Sequence, residues 1–136
     1  MSENSRSVFV PIAVFSKCEE GYAVGMELCR RVDDQYHPFH IFSLWLPKAE
    51  YPSQKQVLYH LFAKTAKHLP EDTEIIHFRS TSPYFAHSNK EMIRKAGVFL
   101  GDRERHFTRL KKSPGWAVSL ALDAVKRRNS IEERLI

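Results

Sequence analysis

The sequence predicts an α/β domain with an α+β mixed sheet, and three observations support that prediction. Apolar residues alternate along residues 8–28 around a polar, Gly-ended break at residues 16–21, which is typical of a β-hairpin. From about residue 53 onward, apolar residues recur at intervals of three and four, as they do in helices. Short strand-like runs separate the helical segments. The predicted order is a three-strand antiparallel meander, then helix, parallel strand, helix, short strand, helix.

The first predicted strand is apolar on both of its faces. One face carries Val8, Val10, Ile12 and Val14, and the other carries Phe9, Pro11, Ala13 and Phe15. A strand of this kind normally lies in the middle of a sheet, with cover on both sides. Because Pro11 removes one hydrogen bond from the ladder, we expect either a bulge at that residue or a strand that lies nearer an edge.

A third strand, a helix and a fourth strand follow. Residues 39–46 alternate as a strand, and the first helix runs from about Ser53 to His68, where Ser53 is placed to cap it. Residues 74–78 form the short fourth strand. Because a helix connects the third strand to the fourth, the fourth strand is expected to run parallel to another strand.

Two helices and one strand complete the predicted domain. Residues 88–91 have the pattern of a capping box, which opens a helix that Gly101 ends, and residues 106–110 form a short edge strand. Ser113-Pro114 opens the last helix, which extends to Arg128. A second capping box, at residues 130–133, predicts a final short turn.

We expect the last helix to lie flat on the sheet with its bulky apolar residues inward. These residues are Trp116, Val118, Leu120, Leu122 and Val125. The residues expected to be nearly inaccessible to solvent are Val10, Ile12, Val14, Leu61, Phe78, Leu120 and Val125.

Three segments resemble the ribonuclease H-like fold, whose sheet begins with an antiparallel three-strand meander and continues with a helix and a parallel strand. Residues 15–18 followed by residues 21–25 are similar to the first hairpin of that family. Residues 75–80 followed by Tyr84 look like its fourth strand and turn, and residues 111–115 look like its last loop. The resemblance extends over residues 8–128 and depends on element order and on these local similarities.

The resemblance implies a degenerate member of the family, without its catalytic carboxylates. Active members hold two metal ions with four converging carboxylates. The corresponding neighbourhoods here contain no acid; they hold Ala13, Phe15, Ser16, Gln56, Arg79, Ser80 and Ser119. We therefore expect no catalytic residue, no metal site and no cofactor. His37 and His40 do not change this expectation, because strand alternation would place them on opposite faces.

Length and composition predict one domain over residues 1–136, with residues 1–6 as a disordered tail. No apolar run approaches the roughly 20 residues of a membrane span, so no membrane contact is expected. The polar N-terminus has no signal-peptide pattern, and the two cysteines are not placed to pair, which favours reduced thiols and a cytoplasmic location. The sequence does not determine the oligomeric state.

Positive charge is concentrated in the last third of the chain. Residues 1–89 carry nine Lys and Arg and ten Asp and Glu, whereas residues 90–128 carry eleven basic and four acidic residues. The candidate nucleic-acid-binding residues are Arg103, Arg105, Phe107, Arg109, Lys111, Lys112, Lys126 and Arg127. The alternatives are a solvated helical face, and pairing of Arg103 and Arg105 with Asp102 and Glu104.

Arg79 and Ser80 form a second, weaker candidate site for a ligand. They lie at the carboxyl end of a predicted parallel strand, where ligands gather in α/β sheets. The alternative is a turn that the hydroxyl groups of residues 80–82 hold by hydrogen bonds.

The interpretation is a non-catalytic module that binds DNA or RNA through its basic C-terminal surface. The alternative is a protein–protein interaction module, that is, an inactive enzyme relative kept as a scaffold. A third possibility is an enzyme of different chemistry that uses Arg79, Ser80 and a histidine.

Overall fold

Six strands form one mixed sheet, and three α-helices lie on it, in a computed structural model that describes residues 6–17, 19–86, 90–112 and 115–135. The elements are β1 (Ser7–Lys17), β2 (Gly21–Val32), β3 (Gln35–Pro47), α1 (Gln54–His68), β4 (Ile75–Ser80), α2 (Lys90–Leu100), β5 (Glu104–Arg109), α3 (Gly115–Arg127) and β6 (Ile131–Arg134). The strand order across the sheet is β5-β4-β1-β2-β3-β6. The predicted mixed α/β class and the predicted order from β1 to α3 are confirmed.

The β1 strand lies inside the sheet, as its two apolar faces predict. It pairs with β2 in the antiparallel sense and with β4 in the parallel sense. The pairing of β1 with β2 keeps one register from Phe9↔Cys29 to Lys17↔Gly21, so β1 has no bulge at Pro11. The strand also lies between β4 and β2, so Pro11 is not on an edge strand. The register shift lies instead between β2 and β3, at Leu28/Cys29.

The two faces of the sheet carry different helices. Val8, Val10 and Ile12 of β1 are buried in the main core with residues of α1 and α2, whereas Ala13 packs with α3 on the opposite face. Of the predicted core, Val10, Ile12, Leu61 and Phe78 are fully buried, and Val14 is half-buried. Ser53 caps α1 as predicted, because its side chain accepts a hydrogen bond from the Gln56 amide at 3.3 Å.

The prediction that α3 turns its bulky residues inward is wrong. Ala117, Ala121 and Ala124 face the sheet and are fully buried. Trp116 is 73% exposed and Leu122 is 50% exposed. The residues Val118, Leu120 and Val125 are half-buried.

Gly25 of β2 explains why the small residues face inward. A Cβ atom built on Gly25 would lie 1.7 Å from the Ala117 carbonyl oxygen and 2.9 Å from the Ala121 nitrogen. The backbone of α3 therefore lies directly against β2, and larger side chains cannot fit between them. Ser43 of β3 strengthens this contact, since its hydroxyl donates a hydrogen bond to the Leu120 carbonyl at 2.6 Å.

The short turn predicted at residues 130–133 is also wrong. Ile131–Arg134 forms β6, which pairs with β3 in the antiparallel sense. Ser130 leads into this strand: its Oγ accepts a hydrogen bond from the Trp45 amide at 2.9 Å and donates one to the Trp45 carbonyl at 3.2 Å. The backbone groups of β3 that would otherwise be unpaired favour a strand here over a helical turn.

Some sequence predictions fall on residues that the structure does not describe. They are the capping box at residue 88, the helix start at residues 113–114 and residues 1–5 of the expected tail. Arg6, the last residue of that expected tail, donates a hydrogen bond to Glu74 at 3.2 Å. Within the described residues, no helix combines the length and the apolar character that a membrane span requires.

We predict that Gly25→Ala destabilises the protein by about 1–3 kcal/mol or more, because α3 must lift away from β2. The free energy of unfolding from urea denaturation measures this loss. The control is Leu122→Ala on the exposed side of α3, which should change stability by less than about 0.5 kcal/mol. Equal effects of the two substitutions would show that α3 does not depend on close contact at Gly25.

Candidate functional site: a cleft beside α3

The α3 helix covers only part of its face of the sheet. It packs on β2, β3 and one end of β1 and leaves the other end of β1 and the neighbouring β4 open. The open area is a cleft of about 590 Å³ beside the first turn of α3. Its lining residues are Phe9, Pro11, Glu27, Cys29, Tyr36, Pro38, Arg79, Leu110, Lys112 and Trp116.

Strand alternation places these side chains together. Phe9 and Pro11 point to the same side of β1 as Ala13, which packs under α3. Cys29 is paired with Phe9, and Arg79 is paired with Pro11, so both neighbouring strands contribute to the same floor. The β2–β3 hairpin adds Tyr36 near its turn.

Aromatic rings and one guanidinium group form a wall of the cleft. The Tyr36 ring lies 5.1 Å from the Phe9 ring, measured between centroids. Arg79 Nη1 donates a hydrogen bond to the Tyr36 hydroxyl at 2.8 Å, and its guanidinium lies over the Tyr36 ring at 5.9 Å. Arg79 therefore presents a fixed positive charge beside apolar surface.

Glu27 is a buried carboxyl group on the floor of the cleft. It is 6% exposed, and burial raises the pKa of its carboxyl group. No described residue forms a hydrogen bond or an ion pair with that carboxyl group. Among the described residues, nothing compensates the burial of this carboxyl group as a buried charge normally requires, so a ligand that donates a hydrogen bond to it would be favoured.

Cys29, next to Glu27 in the cleft, is not an activated nucleophile. Burial, with a smaller contribution from the Glu27 charge, raises the pKa of the Cys29 thiol far above neutral pH. The thiolate is the reactive form of cysteine, and a thiol with such a raised pKa stays protonated at neutral pH. Cys18 lies outside the described residues.

Arg103 and Arg105 bind main-chain carbonyl groups, so their guanidinium groups are not free to bind phosphate. Arg103 Nε donates to the Thr73 carbonyl at 3.2 Å, and Arg105 Nε donates to the Ile93 carbonyl at 2.8 Å. The two guanidinium groups join α2 to the start of β5. Neither pairs with Asp102 or Glu104 within the part of the chain that is described.

Phe107, one of the predicted nucleic-acid-binding residues, is buried in the core. Phe107 is 5% exposed and packs in the main core, 5.1 Å from Phe78 in a nearly parallel arrangement. Phe107 and Phe78 are paired between β5 and β4, and this pairing directs both rings towards α1 and α2. A base cannot reach this ring.

Arg79 and Ser80 point to opposite faces of β4. Arg79 faces the cleft, whereas Ser80 is buried and its Oγ accepts a hydrogen bond from the Ser82 amide at 3.3 Å. For Ser80 the alternative of a hydrogen-bonded turn is correct. Arg109, paired with Ser80, lies on the face opposite the cleft and is exposed.

Lys126 and Arg127 lie at the far end of α3 from the cleft. Eleven residues at about 1.5 Å each place Lys126 roughly 16 Å from the start of the helix. Arg127 Nη2 donates to the Ser43 carbonyl at 3.0 Å and to the Ser43 hydroxyl at 2.8 Å. The eight predicted residues therefore do not form one surface; only Lys112 lines the cleft, and the exposed Lys111 precedes it.

The sequence prediction misses three functional groups of the cleft: Glu27, Tyr36 and the exposed ring of Trp116. It places Trp116 in the core because it expects the bulky residues of α3 to point inward. The spacing of Ala117, Ala121 and Ala124 by four and three is the signal that identifies the buried face.

The cleft holds one acidic residue among the described residues, which does not supply the several oxygen ligands of a two-metal site. In the part of the chain that is described, one group has the composition and spacing of a metal site, namely His40, His68 and Glu132. It lies at the opposite side of the sheet, near β6. The chain matches no protein-family model, and comparison with curated proteins and with solved structures found no match.

We predict that Glu27→Gln stabilises the protein at pH 8 and has a smaller effect below pH 4.5, the ordinary pKa of the group. The folded-state pKa of Glu27 is raised, so the cost in stability begins above the unfolded-state pKa, grows as the pH rises and is complete above the folded-state pKa. Below the unfolded-state pKa, both states are protonated and the cost vanishes. Urea denaturation of both proteins at several pH values measures the difference.

The exposed Glu133→Gln is the matched control and should show no such pH dependence. A Glu27→Gln protein that is less stable than the wild type at pH 8 would show that the carboxylate has a stabilising partner.

Proposed function

We propose that the chain is a non-catalytic nucleic-acid-binding module with a ribonuclease H-like fold, and that it binds a single strand in the cleft beside α3. The main observation that supports this proposal is the exposed Trp116 ring at the mouth of a cleft that also contains Arg79 and Lys112. Proteins that bind single strands combine cations along the backbone with aromatic rings on which bases stack.

The element order supports the fold assignment. The antiparallel meander of β1, β2 and β3 is followed by α1 and by β4, which runs parallel to β1. The strand β6 is an addition to the pattern that the resemblance implies. The neighbourhoods where active members have acids hold Ala13, Gln56, Ser80 and Ser119, which supports a non-catalytic role.

The chemistry of the cleft favours a base on the apolar side and phosphate at the rim. Stacking on an aromatic ring is worth about 1–3 kcal/mol per base. Lys111 and Lys112 are exposed, and neither is paired with a described carboxylate, so their ammonium groups can bind phosphate. The Glu27 carboxyl group, which has no partner among the described residues, offers one to the amino group of a base.

A protein–protein interaction module is the second candidate function, and one observation favours it. Trp116 and Leu122 are both exposed on α3. Apolar side chains in this arrangement suit a protein partner. Binding through such a surface would depend little on salt, whereas binding through phosphate weakens as salt rises.

We predict that Trp116→Ala weakens binding of a labelled single-stranded oligonucleotide by about 5- to 150-fold, the equivalent of removing one base–aromatic stacking interaction. Fluorescence anisotropy at constant salt measures the dissociation constant. Leu122→Ala is the control on the same helix and should leave oligonucleotide binding unchanged. Equal weakening in both variants would favour a role of the α3 surface as a whole.

We predict that Lys111→Glu combined with Lys112→Glu flattens the dependence of log affinity on log salt by about 0.7 for each phosphate interaction that the substitutions remove. The control combines Lys90→Glu with Arg94→Glu, two exposed positions on α2 behind the sheet. Equal changes in the two double variants would indicate nonspecific attraction by a protein of formal charge +5. Failure of the wild type to bind at low salt would contradict the proposed function and favour the protein-interaction candidate.

A further inference from the structure

Three residues from distant parts of the chain meet where α1, β3 and β6 come together. His40 lies on β3, His68 is the last residue of α1 and Glu132 lies on β6. One possible ligand atom from each of the three residues lies within 4.8 Å of the other two. The Nε2 atoms of His68 and His40 lie 3.3 Å and 3.9 Å, respectively, from Glu132 Oε1.

Among the described residues, the Nε2 atoms of the two imidazoles have no hydrogen-bond partner. Nε2 of His40 and Nε2 of His68 are both buried without one, among the described residues. The His40 side chain is only 8% exposed, so bulk water does not satisfy its nitrogen. Buried polar atoms are nearly always paired, and two unpaired ring nitrogens beside one carboxylate oxygen indicate a missing partner that accepts lone pairs.

The second oxygen of Glu132 is already occupied. Lys64 Nζ donates a hydrogen bond to Glu132 Oε2 at 2.6 Å, which leaves Oε1 directed at the histidines. Zinc-type ions bind carboxylate oxygens and imidazole nitrogens, so Glu132 Oε1 and the two Nε2 atoms are atoms of the right kind for a metal site.

We propose that His40, His68 and Glu132 form a binding site for a divalent transition-metal ion of the zinc type. A tetrahedral ion with bonds of about 2.1 Å separates its ligand atoms by about 3.4 Å, so the observed spacings need only small side-chain movements. Two imidazoles and one carboxylate suit Zn²⁺ or Co²⁺, whereas Mg²⁺ and Ca²⁺ prefer oxygen ligands alone. The fourth position remains for water or another ligand.

Metal binding at this site would fasten β6 to the rest of the domain. The four residues of β6 are all exposed, and the strand is the outermost of the sheet. Glu132 contributes the β6 ligand, and the two histidines belong to α1 and β3. A bound ion therefore joins three elements and should reduce local opening of residues 130–135.

The test uses the full chain, freed of metal by a chelator, and Zn²⁺ as the probe in isothermal titration calorimetry. We expect one ion per chain, with an affinity at least tenfold lower for Glu132→Gln and for His68→Gln than for the wild type. Co²⁺ should give the visible absorption of a tetrahedral site in the wild type alone, and Mg²⁺ should give no heat of binding. Hydrogen exchange of residues 130–135 should slow when Zn²⁺ is added.

A similar group at the other edge of the sheet supplies the control. His106 Nε2 lies 2.5 Å from Glu104, and the His77 ring lies 5.4 Å from the His106 ring. His106→Gln should leave Zn²⁺ binding unchanged. Circular dichroism without metal checks that each variant is folded. The proposal is overturned if the folded wild type binds no Zn²⁺, or if folded Glu132→Gln and His68→Gln bind it as tightly as the wild type.

Discussion

Direct contact between α3 and β2 at Gly25 determines which side chains the protein presents to solvent. Because Gly25 has no side chain, the backbone of α3 reaches the sheet, and only the alanine side of the helix fits there. The bulky residues must then face outward, and Trp116 becomes exposed at the start of the helix. The same placement leaves α3 away from the end of β1 that carries Phe9 and Pro11, and this area is the floor of the cleft.

The net charge of the chain overstates the charge that a ligand can reach. Arg103 and Arg105 donate hydrogen bonds to carbonyl groups at the C-terminal end of α2, where backbone acceptors would otherwise be unpaired, and Arg127 donates one to the Ser43 carbonyl group of β3. Such arginines stabilise connections between elements. The positive charge of the cleft comes from Arg79 of β4 and from Lys112, which lies between β5 and α3 and is far from Arg79 in the sequence.

Much of the fold follows from local patterns, but the site depends on contacts between distant residues. Alternation predicts β1–β3, and the helix before β4 predicts its parallel pairing, because both rules concern neighbouring residues. The spacing of the alanines in α3 marks one possible buried side, but the reason that this side is buried and the bulky side is not lies in Gly25, about ninety residues earlier. Of the cleft, only Arg79 and Lys112 were predicted. Similarly, His68 and Glu132 meet only because β6 pairs with β3.

The two tryptophans of the chain offer the most direct measurement of nucleic-acid binding in the cleft. Trp116 is exposed beside Lys112, whereas Trp45 packs against the guanidinium of Arg128 at 4.5 Å, near the other end of α3. Nuclear magnetic resonance resolves the indole N–H signal of each ring during titration with a single-stranded oligonucleotide. The Trp116 signal should shift progressively while that of Trp45 remains in place. A titration that leaves Trp116 unchanged, or that shifts Trp45 more, would contradict binding in the cleft.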